Sequence, residues 1–333
     1  MINKQILYAC LSVGLIIATN DVNGQDKARK KGEDATKKEV AISDKNYLVY
    51  SSLTNKKSSL KEIIKAMDDY DVVFYGEEHN DAVTHYLEST LFKKLYSKYG
   101  KELALSLEMF DRDVQYIIDE YLNGWIKEYY FNKDSRQWKN YSDYKPLVEF
   151  AKENELNVIA ANAPFRYVSI ASKETQSGLE KLSEQAKQNI APLPYMSASG
   201  EYKEKLMIVM GLKPDPDKPA DAVADTLGPK HSYAANMSLD GQSLWDATMA
   251  YSISEYLKDN PGKKVMHVNG RFHTDQHFGI VQQLKRYSPN LKVLVISASR
   301  DDDFPKVDFK EEKDRGEFII FTDPEVPPTF DSQ

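Results

Sequence analysis

A chain of 333 residues, 41% of them hydrophobic, carries enough apolar side chain for one substantial core. Its net charge of −7 offers no basic surface for phosphate, which argues against nucleic acid as a partner. The single cysteine, Cys10, excludes an intramolecular disulfide, and a chain cleaved ahead of Gln25 would hold no thiolate for metal or nucleophilic chemistry.

Lys4 followed by the apolar run Ile6 to Ala18, interrupted only by Ser12 and Gly14, reads as an export signal. The run falls short of the ~20 apolar residues that a membrane span requires. Val22 and Gly24 place small residues third and first before a cut at Gln25, which makes 1–24 the signal. Leu7-Tyr8-Ala9-Cys10 imitates a lipobox, but cleavage there leaves almost no apolar segment ahead of it. Export to the periplasm or cell envelope is therefore expected. Residues 25–45 are charged and poor in large apolar side chains, so a disordered arm is expected there, ahead of one α/β domain over 46–333.

Within that domain, Ser59-Leu60-Lys61-Glu62 has the pattern of a capping box opening a helix to about Tyr70. Asp71 to Tyr75 is a short apolar strand that ends at Gly76. Val83, Tyr86, Leu87, Thr90, Leu91, Lys94 and Leu95 recur at helical spacing, and Gly100 closes that helix. Leu103 to Leu107 is a second strand ending on Glu108, Asp113 to Leu122 a helix, and Asn157 to Ala161 a third strand. Residues 165–238 break the rhythm with helix-like stretches and two proline clusters, and are expected to form a mostly helical insertion. A long helix over 240–258, the strand Lys263 to Val268, a helix over 275–287 and the strand Lys292 to Ile296 restore it. Phe318 to Phe321 is expected as an edge strand. Short apolar strands alternating with amphipathic helices imply a mainly parallel sheet covered by helices on both faces.

Three of these strands end in residues that bind or react: Gly76-Glu77-Glu78-His79, then Glu108 to Arg112, then His267 to His273. Ligands of open α/β sheets gather beyond the carboxyl ends of the strands, so Glu77, His79, Glu108 and His273 are expected to share one cavity. Carboxylates and imidazoles together suit a divalent ion such as zinc, iron or manganese, or a general base with its orienting partner. Two buried carboxylates need a compensating cation, an imidazolium or Arg112. Glu78 and Asp81 are read as helix N-terminal groups, and His267, inside a strand, as structural. His273 and His277, four apart, would share one helix face.

The order G-E-x-H, then Leu107-Glu108-Met109-Phe110 with Gln115 and Tyr121-Leu122, resembles the ChaN-like haem-binding uptake proteins. Ala160 to Pro164, Gln242 to Ala250 and Asn269-Gly270-Arg271-Phe272-His273 resemble further segments of that family, in order along the chain. The resemblance implies export, haem as ligand, and a setting of iron acquisition with a possible outer-membrane uptake system as partner. It also implies kinship with Tiki-type metalloproteases and erythromycin-esterase-like hydrolases. In those enzymes the positions matching Glu77, His79, Glu108 and His273 form the active site, which leaves a metal-dependent hydrolase, or a non-catalytic envelope binding protein, as alternatives. The long proline-rich insertion and the lack of a convincing lipobox depart from the family pattern. Ferric haem favours a phenolate or imidazole ligand, and Tyr195, His231 and Tyr233 of the insertion are the candidates.

Overall fold

The computed structural model describes residues 41–210, 213 and 238–330. The expected signal, most of the arm, and His231 and Tyr233 lie outside the described residues. In chain order the elements are β1 (Tyr47–Ser51), β2 (Lys56–Ser58), α1 (Leu60–Ala66), β3 (Val72–Glu77), α2 (Ala82–Tyr99) and β4 (Leu103–Asp111). There follow α3 (Gln115–Leu122), α4 (Glu128–Asp134), α5 (Tyr141–Glu153), β5 (Val158–Asn162), α6 (Phe165–Glu180), α7 (Glu184–Lys187) and α8 (Gly200–Val209). The last are α9 (Leu239–Asp259), β6 (Lys264–Gly270), α10 (Ile280–Tyr287), β7 (Val293–Arg300), α11 (Phe309–Glu312) and β8 (Phe318–Thr322). Among the described residues no helix is long and apolar enough to cross a membrane.

The eight strands form one sheet in the order β2-β1-β8-β7-β3-β6-β4-β5. Every pair from β8 to β5 is parallel, and β1 pairs antiparallel with both β8 and β2. Both faces are covered, so successive strand residues bury in opposite directions. Val73 and Tyr75 join Leu87, Leu91, Leu95, Tyr144 and Val148 of α2 and α5 on one side. Val72 and Phe74 join Met249, Ile253, Ile280 and Leu284 of α9 and α10 on the other. The chain leaves β3 for β4, returns to place β6 between them, then crosses to β7 on the far side of β3. That reversal opens a crevice at the carboxyl ends of β3, β6 and β4.

Three local expectations are corrected. Phe318–Thr322 is an interior strand, because the β1–β2 hairpin, absent from the sequence reading, covers its outer edge. The helix expected over 275–287 starts only at Ile280, since Gln276, His277 and Gly279 take positive φ values of 59°, 60° and 47°. Ser59 does stand at the N-cap of α1, yet its hydroxyl makes no capping bond. Between α5 and α9, helices α6 to α8 pack on α9 through Val168, Ala171, Leu179, Tyr195, Leu244 and Ala247, and separately through Tyr202 and Leu206.

Candidate functional site

The last residue of β3, Glu77, lies level with Gly270, the last residue of β6. Next to them β4 leaves the sheet: its pairing with β6 ends at Leu107, and its register against β5 shifts between Leu107 and Asp111. Glu108 sits at that break, and its Oε2 accepts the Gly270 N–H at 2.7 Å, a backbone donor that the ladder no longer serves. Two glycines make the approach feasible. A Cβ on Gly76 would lie 2.8 Å from the Arg271 Cα, and one on Gly270 would lie 2.8 Å from His79 Nε2 and 3.8 Å from Glu108 Oε2. Glu77, His79, Glu108 and His273 therefore stand in one buried row at the strand ends, with Glu77 on His79 Nδ1, His79 Nε2 beside Gly270, and Glu108 between the Gly270 N–H and His273.

Each imidazole is held by a carboxylate on Nδ1. His79 Nδ1 lies 2.8 Å from Glu77 Oε1, which also accepts the Tyr144 hydroxyl at 2.5 Å. His273 Nδ1 lies 2.6 Å from Asp246 Oδ1 on α9, and Asp246 Oδ2 accepts the Tyr202 hydroxyl at 2.6 Å. The Nε2 of His273 faces Glu108 Oε1 at 3.5 Å. Burial opposes charge on these rings, but the surrounding carboxylates prevail. His79 is raised above its ordinary value by Glu77 and Glu108, and His273 is pushed up to about 10 by Glu108 and Asp246. Glu108, which burial alone would raise, is drawn down to about 2 by His273, His79 and the Gly270 N–H. Asp246 stays above the ordinary aspartate range because burial and the charge of Glu108 outweigh His273. The groups that face these carboxylates are thus imidazoles. Arg112 is elsewhere, pairing with Glu255 and donating to Ser252 at 2.9 Å and to the Gln188 carbonyl at 3.0 Å.

Of the neighbouring expectations, Asp81 does cap α2, accepting from Val83 N at 2.8 Å and Thr84 N at 3.4 Å. Glu78 does not: it turns to Arg271 Nε and the Arg300 N–H, both at 3.4 Å. His267 is structural, with Nδ1 at 2.8 Å from Ser106 Oγ, and burial holds it neutral with a pKa of about 3. His277 does not share a helix face with His273, because the chain turns between them and its Nε2 meets Glu317 at 3.0 Å. Tyr195 is 3% exposed, and its hydroxyl donates to the Asp240 carbonyl at 3.0 Å, so it presents no free phenol.

A second buried group adjoins the first, and the sequence reading missed it. His85 and Glu88 face inward from α2, with His85 Nδ1 at 3.1 Å from Glu77 Oε2 and 3.3 Å from Glu88 Oε2. Asp143 Oδ2 lies 3.7 Å from the other ring nitrogen. Burial and the charge of Glu77 push Glu88 far above the usual carboxylate range, and the surrounding carboxylates raise His85 to about 10 despite burial. Glu77 experiences the same burial, yet His85 and His79 keep it low. Among the described residues, the group of three potential ligands whose donor atoms all fall within 4.8 Å is Glu77, His85 and Glu88. It shares only Glu77 with the quartet expected from the sequence. The available signal was a polar residue in an apolar stripe: Glu88 precedes Leu91, Phe92 and Leu95 at helical spacing, as Asp246 precedes Met249, Ala250 and Ile253.

The family described as haem-binding uptake, Tiki superfamily, ChaN matches residues 63–284. A solved structure reporting cofacial haem binding to ChaN of Campylobacter jejuni superposes with a TM-score of 0.61 at 18% identity, covering 84% of this chain and 98% of that one. The type III effector HopBA1 has a TM-score of 0.44 at 12% identity, with 79% and 93% covered. A mutant of the erythromycin esterase EreC in its open conformation has a TM-score of 0.43 at 11% identity, with 84% and 83% covered. No curated protein matches the sequence. With the family's segments running in order through β3, β4, α9 and β6, and its fold reproduced across the sheet, this chain belongs to the ChaN family of haem-binding uptake proteins in the Tiki superfamily.

Proposed function

We propose that this protein is exported and binds haem in the cell envelope, in acquisition or handling of haem iron, exchanging it with an outer-membrane uptake system. The family match over residues 63–284 carries the reading. The donor chemistry fits it. Ferric haem takes a phenolate as axial ligand, and Tyr129, Tyr116, Tyr130 and Tyr86 are 69%, 62%, 50% and 43% exposed. Three of these stand on α3 and α4, which pack together beside Trp125, itself 75% exposed and able to lie against a flat apolar ring. Bound haem would supply the iron centre, and these phenols would hold it. His231 and Tyr233 lie outside the described residues and stay on the ligand list. Titration of the chain with ferric haem should give a saturable Soret shift. The Tyr116→Phe, Tyr129→Phe and Tyr130→Phe variants, taken singly and together, should then weaken it. Absorbance that rises without saturating would refute the reading.

Hydrolysis of an ester or amide is a second reading, favoured by one observation. Two imidazoles, each fixed by a carboxylate on Nδ1, face Glu108 across Gly270. One of them can take or give a proton while Glu108 holds the charge. Turnover of chromogenic esters that disappears in His273→Ala, while the Soret shift persists, would support it. The absence of turnover with and without added divalent metal would exclude it.

A further inference from the structure

Glu77, His85 and Glu88 form a donor set that the haem reading does not use. α2 begins at the Asp81 cap, which turns positions 85 and 88 inward toward the end of β3. The orientation of the His85 ring follows from its contacts. Its Nε2 lies 3.1 Å from the His79 carbonyl oxygen, which can only accept, so Nε2 carries the hydrogen. Its Nδ1 then points between Glu77 Oε2 and Glu88 Oε2, at 3.1 Å and 3.3 Å. Among the described residues neither Glu77 Oε2 nor Glu88 Oε1 has a hydrogen-bond partner, although both residues are fully buried. Two carboxylates and an imidazole nitrogen thus converge in a buried space, with one oxygen of each carboxylate left unmatched. A cation must complete the group, either a proton or a metal ion.

The geometry points to a metal, and we propose that Glu77, His85 and Glu88 bind a divalent first-row transition ion, of the manganese, iron or zinc kind, beneath His79. Oxygen and imidazole donors select such ions in the absence of thiolate. Ligands at ~2.0–2.2 Å from a common ion stand roughly 3–3.5 Å apart, which is the spacing of His85 Nδ1 from both carboxylates. The surrounding contacts are those that hold metal ligands in place. His85 donates its other ring N–H to a backbone carbonyl, and Tyr144 donates to Glu77 Oε1, leaving Oε2 for the ion. Because Glu77 Oε1 also meets His79 Nδ1, the ion would set the orientation of the imidazole that faces Gly270. The site is independent of the haem reading and stands whether or not haem binds.

The test uses the full chain, unfolded and refolded with manganese(II), iron(II) or zinc(II) chloride in turn, then desalted, with metal content and melting temperature measured. One ion should be retained in equimolar amount and should raise the melting temperature. Glu88→Gln keeps the shape of the side chain and imitates its protonated form, and it should bind the ion less tightly by more than the ~10–100-fold typical of a ligand's supporting partners. His273→Ala should bind it as well as the unaltered chain. Should Glu88→Gln not fold, the cobalt(II) spectrum of the unaltered chain reports the same donors, with imidazole and oxygen bands expected. Three results would overturn the proposal: no ion retained from any of the three salts, undiminished binding by Glu88→Gln, or loss of the ion in His273→Ala.

Discussion

Replacing Asp246 by Asn isolates the contact that sets the protonation of His273. The carboxylate lies 2.6 Å from His273 Nδ1, and both groups are buried, so the pair is little screened. A rise in the His273 pKa from 6.5 to about 10 corresponds to ~5 kcal/mol of preference for the imidazolium in the folded state. Glu108 and Asp246 share that preference. An opposite charge at this range contributes ~1–3 pH units, so Asp246→Asn should lower the His273 midpoint by that amount and cost ~1–4 kcal/mol. The asparagine can still accept the Tyr202 hydroxyl and keeps the volume of the side chain, so loss of packing should contribute little. Because the folded-state pKa is the higher one, this stability is fully present below pH 6.5 and is lost as the pH rises through about 10. Urea unfolding of the two proteins should therefore differ most near pH 6 and converge toward pH 10. The histidine resonances in proton–nitrogen correlation spectra give the midpoint directly. An unchanged His273 midpoint, or a stability difference that is the same at both pH values, would refute the reasoning.

Glu108, drawn from 4.5 to about 2, contributes stability that is present above its unfolded value and lost as the pH falls from 4.5 through 2, so Glu108→Gln should flatten the acid limb of a melting-temperature profile. Gly270→Ala would place a methyl 2.8 Å from His79 Nε2, which should cost ~1–3 kcal/mol in urea unfolding and broaden or shift the His79 resonances. Tyr202→Phe removes the hydroxyl donated to Asp246 and should destabilise by ~1.5–3 kcal/mol, the range for a hydrogen bond to a charged partner, with no loss of ring packing against Phe272.

The strand ends were legible because a short apolar run that stops at Gly-Glu-x-His or Gly-x-x-His marks both a parallel strand and its carboxyl end. Only chain order was needed to expect Glu77, His79, Glu108 and His273 at one edge. The hairpin β1–β2 escaped notice because Lys56–Ser58 is short and polar and has no apolar alternation. The missing turn of helix ahead of Ile280 depends on three positive φ values, two of them at residues that ordinarily avoid that region.

By itself, then, the sequence determined the class of the fold, the parallel strands and the residues at their ends, since periodicity and turn chemistry are local properties. Tertiary structure alone decided which inward faces meet. Asp246 reaches His273 only because α9 packs on the sheet at β5 and against α10, and His85 with Glu88 reaches Glu77 only because α2 lies back along β3. Tertiary structure also decided that Arg112 turns away and that Tyr195 has its hydroxyl already engaged. Helical spacing tells that Glu88 points inward, but the charge it meets there belongs to a strand that ends eleven residues earlier. Electrostatics in a buried site falls off over a few ångströms of space, and distance along the chain carries no record of it.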